Sequence, residues 1–261
     1  MSRIMKSAYD LDCLIMQHAE DSELSRNGLV NDGIIATKLG LTGIPDLAEK
    51  IIIERDLSLL ENFNCRYHIS QISSSKSIEV IRQNKNKVNF TTGVSINNLS
   101  LNENDIGDFK TFLKLSPPLR TEEDRLSLIN GINKDLIDVI VSDHKPEDEE
   151  SKRITFSQAA TGASGVETFL SLALEMFHNG SVKLSKIIKL VTTNPAKILK
   201  INKGNLSIGN DADFCIVDLY KPWVVKKENM YSKSKNTCIE DKKIQGLVTN
   251  TFVKGNELFK I

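Results

Sequence analysis

The sequence predicts an α/β fold: about four strand–helix units in succession, as in half of a (β/α)8 barrel of the TIM type, followed by a small β-rich segment. Three observations predict it. Short aliphatic runs end abruptly in polar residues, as Ile137 to Val141 does in Ser142-Asp143-His144. Segments with helical apolar spacing separate these runs. Past residue 201 the texture changes to short strand-like pieces among Gly204, Gly209, Asp211 and Asp213.

The elements follow in order. Residues 3–11 carry Ile4, Ala8 and Leu11 on one side and read as a helix. The run Cys13 to Gln17 is a buried strand tipped by His18-Ala19-Glu20-Asp21. Pro45 opens a helix in which Leu47, Ala48, Ile51, Ile52, Leu59 and Leu60 recur at helical spacing. Cys65 to Ile72 forms the next strand, and Ser75 or Ser77 caps the helix carrying Ile78 and Ile81. Val88 to Thr92 is the third strand. Lys114 to Arg120 contains Pro117-Pro118, which no helix interior accommodates, so this stretch is a stiff loop. A helix from Glu122 to about Ile132 returns to the fourth strand at Ile137. Helices follow at Val166 to Phe177, Leu184 to Val191 and, opened by Asn194-Pro195, to about Lys200. Gln245 to Phe259 reads as a hairpin turning near Lys254-Gly255-Asn256. The boundaries placed on this pattern are 1–201 for the partial barrel and 202–261 for the β-rich segment.

Composition narrows the function. The 261 residues are 40% hydrophobic, enough for a sizeable core, and 34 Lys and Arg balance 34 Asp and Glu. No net field gathers nucleic acid or an anionic membrane surface, so a small molecule or a protein is the expected partner. Cys13, Cys65, Cys215 and Cys238 lie far apart, which argues against a zinc ribbon or a disulfide framework; Cys13 and Cys65, in apolar runs, are expected to be core thiols. No apolar run reaches the roughly 20 residues of a membrane span, and the start lacks a signal-peptide core, so the expected location is cytoplasmic.

The chemistry is expected at the strand ends, where parallel barrels place it. His18 with Glu20, His68 with Gln71, and Asp143 with His144 would then converge on one mouth. Imidazoles there can bind a metal and a carboxylate can serve as general base. The plainer reading makes Asp143 a loop cap and His144 its polar neighbour. His178, late in a helix, reads as a C-terminal charge on it.

His18-Ala19-Glu20-Asp21, Tyr67 to Ser73, Lys114 to Arg120, Ser142 to Pro146, Gly162 to Thr168 and Gly204 to Asp213 resemble, in order, successive motifs of dihydroorotase in the amidohydrolase superfamily. The resemblance implies reversible hydrolysis of dihydroorotate to carbamoyl aspartate in pyrimidine biosynthesis, with one or two zinc ions. It matches Asp143 to the proton-shuttling aspartate and His18 to a zinc ligand of the fifth strand. Ser116, Thr161 and Gly162 match segments that hold the pyrimidine ring. The chain then corresponds to the C-terminal half of the barrel.

The departures from that pattern are specific. The His-x-His pair of the first strand and the bridging ligand of the earlier half have no counterpart. Gln71 stands at a histidine ligand position, Asn97-Asn98 where a paired histidine is common, and Glu147 where a substrate-binding histidine is found. Only His18 and Asp143 remain of the metal centre, too few for a firmly held zinc, so the ion is expected to be weakly held or not retained. Half a barrel also leaves a sheet face and two edges open, which calls for a second barrel half or a homo-oligomer, or makes the chain the downstream piece of a longer reading frame. Three functions compete: a dihydroorotase impaired as an isolated chain, a noncatalytic scaffold for aspartate carbamoyltransferase, and, ranked last, a dihydropyrimidinase- or hydantoinase-like hydrolase.

Overall fold

The computed structural model describes residues 1–261. It opens with α1 (Ser2–Asp10), β1 (Leu14–Gln17), β2 (Val30–Asn31), α2 (Ile34–Leu39), β3 (Gly43–Ile44) and α3 (Leu47–Leu60). Then come β4 (Arg66–Ile72), α4 (Ser75–Asn84), β5 (Thr91–Ser95), α5 (Ile96–Ser100), α6 (Glu122–Asn133) and β6 (Val139–Val141). The remainder holds α7 (Glu149–Lys152), α8 (Phe169–His178), α9 (Leu184–Val191), α10 (Thr193–Ile198), β7 (Phe214–Val224), β8 (Lys243–Val253) and β9 (Asn256–Lys260). Strands β1, β4, β5 and β6 form a four-stranded parallel sheet in chain order, the arrangement that right-handed helical crossovers generate.

The two faces of this sheet differ. Tyr67, Ile69, Val94 and Ile140 lie under the helices and belong to one continuous apolar core. Each such side chain contributes roughly 1.5–3 kcal/mol on burial. Tyr67 fixes the orientation: its hydroxyl donates to Asp56 Oδ2 on α3 at 2.6 Å. Strand alternation then sends His68 to the opposite face, where its Nδ1 meets Thr91 Oγ1 at 2.8 Å. Thr91, Gly93 and Ser95, small or polar at every second position, share that inner face.

One irregularity carries consequences for function. Ile69 pairs with Thr92 and Ile72 with Val94, so β4 holds one extra residue between these points. Such a bulge shifts the alternation by one and re-aims the side chains beyond it. Gly93 accommodates the bulge, since a Cβ there would stand 2.3 Å from Ser70 O.

Several local expectations are corrected. Thr91–Ser95 is the third strand of the sheet, not Val88–Thr92, because Val88 N still bonds to Asn84 O in the turn closing α4. Ser74 caps α4, its Oγ accepting from Ser77 N at 3.2 Å. Helix α8 starts at Phe169 rather than Val166, because the Gly165 and Val166 amides turn toward His144. Cys13 is exposed; only Cys65 of the expected pair is a core thiol. The short β2–β3 ladder and α2, absent from the expected pattern, occupy the connection between β1 and α3.

The last 48 residues build an antiparallel sheet in the order β7-β8-β9 against α8. Trp223 Nε1 and Ser171 Oγ both donate to Gly246 O, joining β7, β8 and α8. Val225, Ile239 and Ile244 belong to the same apolar core as the parallel sheet. No helix is long and apolar enough to cross a membrane.

Candidate active site

The C-terminal ends of β1, β4, β5 and β6 present His18, Gln71, Ser95 and Asp143. Asp143 has φ +50°, a left-handed conformation uncommon for a side-chain-bearing residue. Its carboxylate is held from two sides. Gln71 Nε2 donates to Oδ1 at 2.9 Å, and Ser95 Oγ donates to Oδ2 at 3.2 Å. The bulge in β4 makes the first of these bonds, since regular alternation from His68 would aim Ser70 inward and Gln71 outward.

His18 lies across the mouth. Its Nε2 is 3.4 Å from Glu20 Oε2 and 3.2 Å from Ser116 Oγ. The hydrogen bond with Glu20 raises its pKa above the ordinary imidazole value against the opposing effect of burial, and the negative charges of Glu49 and Asp143 act in the same direction. The same pairing lowers Glu20. His18 and Asp143 thus share one electrostatic environment. Ser116 faces that same opening from the proline loop.

A buried polar network positions these tips. Glu49 of α3, 2% exposed, accepts from the backbone amides and hydroxyls of Ser73 and Ser74, the residues directly after β4. Arg120, 3% exposed, donates to Ser73 Oγ at 3.1 Å, to Asn31 Oδ1 at 2.8 Å and to Ile44 O at 2.6 Å. Asn31 in turn donates to Glu103 Oε2 at 2.6 Å. Buried charges persist only when paired and hydrogen-bonded in this way. One network therefore anchors both the end of β4 that carries Gln71 and the loop that carries Ser116. Asn98, buried on α5, adds a bond from its Nδ2 to Pro118 O at 2.9 Å.

Gly162 belongs to a second wall. Its N donates to Lys114 O at 2.9 Å, and its carbonyl accepts from Asn236 Nδ2 at 3.2 Å. Thr161, half-buried beside it, lies on the same loop. Asn236 also accepts from Glu147 N, while Glu167 accepts from the amides of Tyr231 and Ser232. A strap from the segment between β7 and β8 thus fastens the loops that follow β6.

The remaining imidazoles are committed elsewhere. His68 is tied to Thr91 below the mouth, and burial lowers its pKa. His144 Nδ1 accepts from Gly165 N and Val166 N, and His178 meets Leu219 O. No group of three or more His, Cys, Asp or Glu residues comes together with the geometry of a metal site. One imidazole engaged with Glu20 and Ser116, and one carboxylate engaged with two neutral donors, do not fit a zinc ion, which takes three or four protein ligands.

Ser95, Arg120 as an anchor and Asn236 are site residues the sequence reading missed. The alternation Thr91, Gly93, Ser95 marks an inner face and was the available signal for Ser95. Asn236 has none, because it arrives from a segment distant in the chain.

The parallel sheet carries His18, Gln71 and Asp143 at its strand ends, and the chain belongs to the amidohydrolase family, whose sequence model matches residues 1–258. Within it, the similarity is to dihydroorotases. The dihydroorotase of Ehrlichia chaffeensis is 42% identical over 252 residues, which are 96% of this chain and 56% of that protein. The dihydroorotase of Anaplasma phagocytophilum is 38% identical over 262 residues, covering 100% of this chain and 59% of that protein. Among solved structures, the L-hydantoinase (dihydropyrimidinase) of Arthrobacter aurescens superposes with a TM-score of 0.87 at 25% identity, covering 99% of this chain and 60% of that one. The chain therefore spans less than two thirds of the length of these relatives.

Proposed function

We propose that this chain contributes the Asp143-bearing half of a dihydroorotase-type site, the C-terminal half of a (β/α)8 barrel that interconverts dihydroorotate and carbamoyl aspartate. The observation that carries this reading is the likeness itself, 38–42% identity to dihydroorotases over nearly the whole chain, and the positions of His18, Gln71 and Asp143 at the ends of β1, β4 and β6 support it. In this reading Asp143 takes the proton of the attacking water as the ring amide opens and returns it to the departing ring nitrogen. Ser116, Thr161 and Gly162 orient the ring from the proline loop and the loop after β6. The family generally uses a metal, typically zinc. The donors of this chain do not complete such a site, so turnover by the 261 residues alone is not expected. A cytoplasmic location fits the substrate.

The same loss of donors favours one second reading, a noncatalytic scaffold for aspartate carbamoyltransferase. Gln71, a neutral amide bonded to Asp143, is what a chain released from metal chemistry would carry. Cyclisation of carbamoyl aspartate separates the two. The chain together with the part of a relative that lies outside the match should turn over, and Asp143→Asn should abolish the activity. Absence of turnover, with stable capture of aspartate carbamoyltransferase, would establish the scaffold instead.

A further inference from the structure

We propose that Lys145 is a specificity-determining cation of the strand-tip site, receiving the carboxylate that distinguishes dihydroorotate from an uncharged cyclic amide. The inference rests on the dihydroorotase reading above and assigns to one side chain the preference for an acidic ring.

The placement of Lys145 supplies the first argument. It follows Asp143 by two residues, and its N donates to Ala163 O at 2.9 Å, so the chain leaving β6 runs beside the Gly162–Ala163 segment. The stem of the side chain crosses Gly162, where a Cβ would stand 2.9 Å from both Lys145 Cγ and Cδ. Gly162 has φ +137°, a conformation that favours glycine, and the room its missing side chain leaves is filled by the lysine stem. The stem therefore lies on the wall that Gly162 and Asn236 build beside Asp143.

The state of its ammonium supplies the second. Lys114 and Lys152 are buried, with their Nζ atoms donating to Ser157 O at 2.9 Å and to Ala160 O at 2.6 Å. Arg120 is held in the buried network, and His18 is engaged with Glu20 and Ser116. Lys145 is different. Its side chain is 61% exposed, and its Nζ stands 4.0 Å from Glu147 Oε1, the outer limit of an ion pair. An exposed pair of that length contributes little in water, so a carboxylate from a ligand can take the ammonium at small cost.

The charge of the rim supplies the third. Asp143, Glu20 and Glu147 carry the same sign as the carboxylate of dihydroorotate and oppose its entry. That carboxylate takes no part in opening the ring amide. Only a cation beside the ring turns it from a hindrance into a handle, and a lysine, as a mobile point charge, can follow it from the closed ring to the open ureido acid.

The test is to titrate the full chain, alone and together with the part of the Ehrlichia chaffeensis dihydroorotase outside the match, with dihydroorotate and with dihydrouracil, which lacks only the carboxylate. Calorimetry reads both affinities. Dihydroorotate is expected to bind the more tightly, and Lys145→Met to weaken it about five- to tenfold while dihydrouracil changes little. Lys145→Arg should keep most of the preference. Lys233→Met, which removes another exposed lysine from the segment between β7 and β8, should keep all of it. Equal weakening of both rings, no weakening of either, or the same loss in Lys233→Met would overturn the role of Lys145 and leave the dihydroorotase reading standing. Binding of neither ring in either preparation would end that reading and this role with it.

Discussion

Gln71 and Asp143, 72 residues apart in the chain, are joined by a 2.9 Å hydrogen bond across the tips of β4 and β6. The bond ties a neutral amide to one carboxylate oxygen while Ser95 engages the other. Gln71→Leu removes one donor from a half-buried carboxylate. It is expected to cost about 1 kcal/mol of stability. An unchanged urea midpoint would show that the bond contributes nothing in solution.

The bulge that creates this bond depends on Gly93. A methyl group there would meet Ser70 O at 2.3 Å, and that atom is backbone, so the strand itself must move. Gly93→Ala is expected to cost about 1–3 kcal/mol and to release Gln71 from Asp143. Denaturation measures the first effect; the side-chain amide resonances of Gln71, compared with the wild-type chain, report the second.

Arg120 joins the proline loop to the end of β4 through Ser73, with Asn31 and Ile44 as further acceptors. Truncating one partner of a buried charge network typically costs about 3–5 kcal/mol. Arg120→Ala should fall in that range by chemical denaturation. Arg120→Lys should recover only part of the loss, since an ammonium cannot reproduce the planar fork.

The His18–Glu20 pair gives a signed pH dependence. A raised imidazole pKa contributes stability that is present below the unfolded histidine value and is lost as pH rises through the folded value. The lowered Glu20 contributes above the unfolded carboxyl value and is lost as pH falls through its folded one. The pair is therefore strongest between about pH 4.3 and 6.5. Proton NMR should show His18 titrating above the ordinary imidazole value and returning toward it in Glu20→Gln. Identical titrations in the two proteins would disprove the coupling.

The strand–helix rhythm was legible because buried parallel strands write themselves as short, mostly aliphatic runs, as Ile137 to Val141 does with Asp138 its one polar residue. The polar tips were legible for the same reason, since His18 and Asp143 end such runs abruptly. What periodicity could not convey was irregularity. The extra residue in β4 changes no composition, yet it decides whether Gln71 or Ser70 faces Asp143. Contacts between distant segments were equally silent. Asn236 lies in a stretch without periodic pattern and reaches Gly162, and nothing near either residue marks the partnership. The placement of β5 went wrong because Val88 and Phe90 look like strand residues while Val88 N completes the helical turn before them.

The strap from Tyr231 to Asn236 makes the composition change near residue 201 a poor place to cut. Although the chain alters in character there, the rim around Asp143 borrows its rigidity from amides and an amide side chain contributed some ninety residues later. Removing the terminal sheet would slacken the rim, and grafting the rim alone onto another scaffold would leave it without its fastening.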